Sequence, residues 1–196
     1  MNPSVFRLSR LEFRRFDIEA NPEYILPEQP AVFPQIDFEF NKVQIELGTD
    51  LAYPDDELED PRHFTLSLKL SIQQSKQVDG VILPYSITIE GTAYLNFRGK
   101  DEGLRRFQVV RGTGYLMVYS AFREHIANFT ARSVHGLWFL PTPNFNSRVE
   151  ADAPIDFEKW EAAIAAKIAK SKPKATKVAR KKAPDASEEQ ISKQKM

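Results

Sequence analysis

The stretch Phe64-Thr65-Leu66-Ser67-Leu68-Lys69-Leu70-Ser71-Ile72 alternates apolar and polar residues without a fault. Successive side chains of an extended chain leave opposite faces. Phe64, Leu66, Leu68, Leu70 and Ile72 therefore share one face, and Thr65, Ser67, Lys69 and Ser71 share the other. A strand patterned this way is buried on one face only.

Working outward, a second alternating stretch runs from about Pro84 to Phe97. It places Ile87, Ile89, Ala93, Leu95 and Phe97 inward. Gly91 falls on the same parity, where the missing side chain leaves room for a packed helix or a close backbone approach. Upstream, a strand is expected from about Val5 to Glu19. Phe6 and Leu8 lie on one parity, Leu11 and Phe13 on the other, so a bulge or strong twist is expected there. A further strand is expected from about Gln35 to Leu47, where Ile36, Phe38 and Phe40 alternate before Val43, Ile45 and Leu47 resume on the opposite parity.

Two connections differ in character. Residues 21–34 hold Pro22, Pro27, Pro30 and Pro34 together with Tyr24, Ile25, Leu26, Val32 and Phe33. Proline fixes φ and removes a donor, so this reads as an extended crossover outside the sheet. The segment from Gly48 to His63 carries Asp50, Asp55, Asp56, Glu57, Glu59 and Asp60 and reads as a solvated loop.

After Phe97 the period lengthens. From about Arg105 to Ser133, Leu116, Tyr119, Phe122, Ile126 and Phe129 recur at three- and four-residue steps, the mark of an amphipathic helix. Gly112 and Gly114 are expected to break or kink it near its start. Gly136 then releases Leu137-Trp138-Phe139-Leu140-Pro141, an extended apolar run. Asp156 or Asp152 is expected to cap a second helix carrying Phe157, Trp160, Ile164 and Ile168 on one stripe.

The 196 residues suit one domain, expected over residues 1–170, followed by a tail over 171–196. From Asp156 onward there are eleven Lys/Arg against six Asp/Glu, and before it sixteen against twenty-one. Eight of those cations lie between Lys167 and Lys182, with no acid among them. Little apolar bulk follows Ser171, so the tail is expected to be disordered. Its charge suits phosphate contacts, but no aromatics are interleaved for base stacking; a solubilising tail or contact with an acidic protein is expected ahead of nucleic acid, and a nucleic-acid-associated protein acting through this tail is the alternative function from another class. The chain has no cysteine, which removes disulfides and thiolate chemistry. No stretch approaches the length of a membrane span and the first residues do not read as a signal peptide, so the expected location is cytoplasmic.

Catalytic machinery is not visible. His63, His125 and His135 are far apart and lack metal-type spacing, and Glu124 beside His125 points elsewhere on a helix. Arg111-Gly112-Thr113-Gly114 matches no phosphate-loop pattern, and the acidic loop lacks the spacing of a calcium loop. The expectation is a non-enzyme without cofactor or metal.

Two stretches are more specific. Tyr119-Ser-Ala-Phe-Arg123-Glu124-His-Ile126-Ala-Asn-Phe-Thr130 is followed by Leu140-Pro141-Thr-Pro143-Asn144-Phe145. This helix-to-loop pairing resembles the SecB family of export chaperones and its SecB-like relatives. Arg10-Leu-Glu-Phe13 and Ile18-Glu19-Ala20-Asn21-Pro22 are similar to that family's first strand and its entry to a crossover, and the order of elements agrees over about residues 7–168. The resemblance implies an α+β fold, a four-stranded antiparallel sheet with a long amphipathic helix and a C-terminal helix on one face. It also implies a tetramer built as a dimer of dimers. ATP-independent holding of nonnative polypeptides is implied too, with delivery to the SecA motor or, in toxin–antitoxin relatives, protection of an antitoxin. Glu19 matches one member of the acidic pair that docks SecA, but Arg15 occupies the other position.

The residues themselves supply a reason for such holding. Tyr24, Ile25, Leu26, Val32 and Phe33 of the crossover, with Trp138, Phe139, Phe157, Trp160 and Ile164, are expected to line an apolar groove. Contact with roughly 400 Å² of client apolar surface at about 25 cal/mol/Å² is worth of order 10 kcal/mol gross, much of it lost to ordering.

Overall fold

A computed structural model describes residues 4–26, 35–36, 38–40, 43–74 and 81–171. Four strands, β1 (Phe6–Ala20), β2 (Ile45–Ala52), β3 (His63–Ile72) and β4 (Tyr85–Phe97), are followed by two helices, α1 (Gly103–Thr130) and α2 (Asn146–Ser171). The sheet order is β1-β4-β3-β2 and every pair is antiparallel. The fold is thus α+β, a four-stranded antiparallel sheet with both helices on one face.

The alternation of β3 translates directly into burial. Phe64, Leu66, Leu68, Leu70 and Ile72 are buried, while Lys69 is exposed. Ile87, Ile89, Ala93, Leu95 and Phe97 of β4 complete the same inner face. The central helix α1 lies across it, closing the core with Phe107, Val110, Tyr115, Val118, Phe122 and Ile126. Gly91 is what allows this approach, because a Cβ there would stand 2.7 Å from the Phe122 ring. Gly114 does the same from the helix side, where a Cβ would stand 2.6 Å from Leu66.

β1 slips register between Leu8 and Arg10 and between Phe13 and Arg15. These are the bulges that its parity changes require, and they let one long strand keep its apolar residues inward.

Several expectations are corrected. The second strand begins at Ile45 and continues through Gly48, Thr49 and Asp50, so the start of the acidic segment is strand rather than loop. The alternation of Ile36, Phe38 and Phe40 belongs to the end of the crossover, where Phe38 and Phe40 pack against Trp138. Neither Gly112 nor Gly114 interrupts α1, which runs unbroken for 28 residues. Within α1, Leu116 and Phe129 are half exposed, while Tyr119, Phe122 and Ile126 are buried.

The second helix starts at Asn146, ahead of both proposed caps. Asn144 accepts a hydrogen bond on its side-chain Oδ1 from the Asn146 N–H at 3.0 Å, supplying the cap. Pro154 lies inside α2 without ending it. The basic tail from residue 172 onward, expected to be disordered, lies outside the described residues.

Candidate functional site

At one end of the sheet three connections converge. The Asn21 N–H donates to the Pro84 carbonyl at 2.9 Å, bringing the start of the crossover to the start of β4. The Tyr85 hydroxyl donates to the Gly136 carbonyl at 2.9 Å and accepts from the His135 N–H at 3.2 Å, fixing the turn after α1. His135 Nε2 lies 2.9 Å from the Asn21 carbonyl, and its ring meets that of Tyr24. The Ile36 N–H donates to the Leu137 carbonyl at 2.7 Å, so the far end of the crossover returns to the same connector.

Aromatic packing seals this junction. Trp138 is fully buried among Phe38, Phe40 and Tyr85, with Phe40 stacked on it at 5.3 Å. Its backbone N–H donates to Thr130 Oγ1, while its indole N–H finds no acceptor among the described residues. Burial pushes the Tyr85 hydroxyl above its ordinary pKa, outweighing the hydrogen bonds at its oxygen.

Around the sealed junction the apolar side chains are left open. Ile25 is 86% exposed and Val134 76%, with Leu26, Ile82 and Phe139 each 40–50% exposed. Each lies one or two residues from a junction contact: Ile25 and Leu26 follow Tyr24, Ile82 precedes Pro84, Val134 precedes His135 and Phe139 follows Trp138. These exposed apolar groups, set around a packed aromatic base, are the candidate interaction surface.

A second element borders this surface along α1. Arg123 lies over the Phe139 ring at 5.6 Å, and its Nε is buried without a hydrogen-bond partner among the described residues. The two stretches that carry the SecB resemblance meet here. The Tyr119 hydroxyl donates to the Pro141 carbonyl at 3.0 Å, and Phe145 packs on Tyr115 and Tyr119. Burial raises the Tyr119 hydroxyl to a pKa of about 12. Beside this contact, an open cavity of about 600 Å³ runs between α1 at Val109, Gly112 and Leu116 and the segment Pro143–Phe145 with Val149.

α2 is fixed to the rest by charge. Arg111 donates to both Asp156 carboxylate oxygens, at 2.6 and 2.8 Å, and both side chains are nearly inaccessible. Arg111 also reaches Thr49 of β2 and the Tyr115 hydroxyl. The Tyr115 hydroxyl in turn meets Asp152 at 2.6 Å, and Arg148 closes on the same carboxylate at 2.7 Å. Burial pushes the Asp152 carboxyl up, but hydrogen bonds from Tyr115 and Arg148 outweigh it and hold it below the usual carboxylate range. Burial first, then the neighbouring Asp152, raises Tyr115 to about 12. The two aspartates proposed as helix caps are therefore the anchors of α2.

The predicted site residues divide. Ile25, Leu26 and Phe139 lie on the open surface, with Tyr24 half-buried against His135. Trp138 is a correction: it belongs to the interior and cannot line a groove, because Phe38 and Phe40 close over it. Phe157 and Trp160 are half-buried elsewhere, packed on Phe107, and the Trp160 indole donates to the Leu58 carbonyl at 2.7 Å. They and Ile164, on the same helix, are not brought to the crossover junction. Val32 and Phe33 lie outside the described residues. Ile82 and Val134 were missed; the signal available was an apolar residue in an otherwise turn-like context.

Glu19 is exposed on β1. The outer face of that strand is mixed in charge: Arg15 pairs with Asp17 at 2.8 Å and Arg10 with Glu12 at 2.6 Å. His63 is held by Glu57 and Asn96 at the start of β3, and His125 packs against Phe13 and Phe16. Among the described residues no group of three or more His, Asp and Glu side chains is placed to hold a metal, and no helix is long and apolar enough to cross a membrane.

No protein-family model matches this chain, and no curated protein matches it. Among solved structures, it is similar to a SecB-like chaperone of Mycobacterium tuberculosis in complex with a ChAD peptide from an antitoxin. That match has a TM-score of 0.44 and 12% identity over 71% of this chain and 88% of that one. A protein of unknown function from Streptococcus agalactiae matches with a TM-score of 0.37 and 12% identity, over 71% of this chain and 97% of that one.

Proposed function

We propose that this protein is a SecB-like holdase, a non-enzymatic chaperone that keeps nonnative polypeptides soluble without ATP. The observation that carries the reading is the sealed aromatic junction with Ile25, Leu26, Ile82, Val134 and Phe139 exposed around it. Apolar contact is non-directional, so a patch of this kind accepts many sequences. A rigid base limits what ordering costs on the chaperone's side. The reading includes a homo-oligomer, a tetramer built from two dimers, and a cytoplasmic location.

The test is light scattering from an unfolding model protein, with and without this chain at near-stoichiometric ratio and no nucleotide. Suppressed scattering supports the reading. Unchanged scattering, with the chain folded and in excess, rejects it.

A narrower reading is favoured by β1. Its outer face pairs Arg10 with Glu12 and Arg15 with Asp17, so it does not offer the acidic surface expected for docking SecA. This supports a chaperone dedicated to one polypeptide partner, such as an antitoxin, over a general export role. Co-purification of a single small protein at fixed stoichiometry is the expected result; capture of SecA by the isolated chain would favour export.

A further inference from the structure

Packing demands a glycine at positions 91 and 114, where a Cβ would collide with the opposite layer. Gly48 of β2 has no such cause. Its φ lies outside the left-handed region, and among the described residues a Cβ there would meet only the Lys69 Cβ, at an ordinary 3.7 Å. A glycine inside a strand weakens it, and one that packing does not require commonly marks a close approach by something else.

The missing side chain leaves a hollow of about 290 Å³ on the sheet face turned away from the helices. The strand register sets it between two rows of side chains. Asp50, Ser67 and Thr92 stand in one row across β2, β3 and β4, and Gly48, Lys69 and Glu90 stand in the next. At its base the Ser67 and Thr92 hydroxyls hydrogen-bond to each other at 3.0 Å, with Thr92 buried. Lys69 and Glu90 neutralise one another at 3.1 Å. Two charges of the lining have no ion pair among the described residues: Arg14 on the β1 side and Asp50 on the β2 side. Arg14 is the extra residue of the second bulge in β1, a feature that commonly re-aims a side chain.

We infer that this hollow binds a small zwitterion, its carboxylate on Arg14 and its ammonium on Asp50. One uncommitted cation and one uncommitted anion at opposite sides select a molecule that carries both signs and no net charge. A guanidinium matches a carboxylate through its planar fork of donors, and Asp50 accepts from an ammonium. No aromatic ring lines the hollow, so a sugar or a base finds no stacking face there.

The spacing sets the length of the ligand. β1 and β2 are separated by β4 and β3, three strand spacings or about 14 Å. The Arg14 stem covers part of that span, and a zwitterion of dipeptide length, about 7 Å from end to end, covers the remainder. A free α-amino acid is too short to engage both charges. The volume sits at the lower limit of small-molecule sites, in keeping with a ligand of this size.

Ligand-observed NMR titration of the full chain tests the site, with glycylglycine as the probe. Glycine, N-acetyl-glycylglycine and glycylglycine amide are the comparisons. Glycylglycine is expected to bind with a dissociation constant of about 1 mM, and all three comparisons about tenfold more weakly or worse. The compound δ-aminovalerate, which holds both charges apart without a peptide group, separates two sources of this chemistry. Equal binding assigns recognition to the charges alone, and weaker binding to the peptide group as well. Arg14→Gln is expected to erase the preference over the amide, and Asp50→Asn the preference over the acetylated form. Gly48→Val fills the hollow and is expected to weaken glycylglycine about tenfold, while the thermal unfolding midpoint by circular dichroism stays unchanged or rises. Gly48→Ala, whose methyl has room beside Lys69, takes its place should Gly48→Val lose its fold. No binding of glycylglycine up to about 20 mM, or capped forms that bind as well as glycylglycine, overturns the site. Binding that both the Gly48 and the Asp50 variants leave intact overturns it equally. Client holding is read separately by light scattering, so neither result decides the other.

Discussion

The two edges of the sheet are finished by opposite means. At β2, Thr49 is drawn into a network of Arg111, Tyr115, Arg148, Asp152 and Asp156 that binds the strand, α1 and α2 into one block. At β1, apolar and charged side chains alternate on a long strand with nothing described beyond it. An edge tied down by buried ion pairs serves the monomer, since its partners lie within the same chain. At the other edge the charges pair along the strand itself and stay at the surface, where charged side chains guard an open edge. The difference assigns cohesion to the β2 side and leaves β1 with exposed groups, and each can be altered by itself.

The largest effect is expected at the closed edge. Arg111→Ala strands the Asp156 carboxylate in an interior site, and breaking a buried pair from one side costs about 3–5 kcal/mol. Urea denaturation followed by circular dichroism measures it. The double variant R111M/D156L, which removes both charges, is expected to recover most of that loss. A loss below about 1 kcal/mol for Arg111→Ala, the level of an exposed pair, would show that α2 is held by other means.

Acid probes the same edge with a smaller effect. The Asp152 carboxyl is held below its ordinary value by Tyr115 and Arg148, against the upward push of burial. A depressed carboxylate contributes stability that is fully present above its unfolded pKa, about 3.9, and is lost as pH falls through the lower folded value. Stability is therefore expected to decline as pH drops below about 4–5, and Asp152→Asn is expected to flatten that decline. An unchanged acid limb in this variant would remove Asp152 from the network's energetics.

At the open edge the balance reverses. Phe16 and Phe129 are each about half exposed and touch one another. Replacing both with Ser is expected to change the unfolding free energy by about 1 kcal/mol or less, while weakening self-association measurably in sedimentation. A large stability loss without any change in assembly would mean that these rings serve the monomer.

What the sequence disclosed follows from how local the signal was. β3 and β4 were legible because each buries one face, so period two writes itself into neighbouring residues. β1 was legible with its bulges, since a slipped parity on a long strand has few other causes. The start of β2 was misplaced because Ile36, Phe38 and Phe40 also alternate, although what they pack against is Trp138, about a hundred residues later. The start of α2 was hidden because Asp152 and Asp156 look like caps beside Pro154, and only the distant Arg111 and Tyr115 reveal them as anchors. Trp138 was assigned to the surface from its apolar run. Yet the alternation in Trp138-Phe139-Leu140 places Trp138 and Leu140 together, and these two are buried while Phe139 is half open. The open surface itself was half legible: Ile25 and Leu26 stood out among prolines, whereas Ile82 and Val134 are tied to it only through the junction contacts of Pro84 and His135.

That junction supplies the prediction with the least effect on stability, and it separates cohesion from recognition most sharply. Ile25 and Val134 make little use of the folded monomer, being 86% and 76% exposed. Replacing both with Ser removes little buried area, so the unfolding free energy is expected to move by about 0.5 kcal/mol or less. If these groups hold client chains, suppression of aggregation must fall in the same variant, because apolar area offered to a partner is lost at full value. A control at the closed edge, Asp152→Asn, is expected to leave that suppression unchanged at neutral pH while altering acid stability. Should the Ile25/Val134 variant hold clients as well as the unaltered chain, the open aliphatic groups are incidental. The contact surface would then be sought along the α1 cavity beside Leu116 and Phe145.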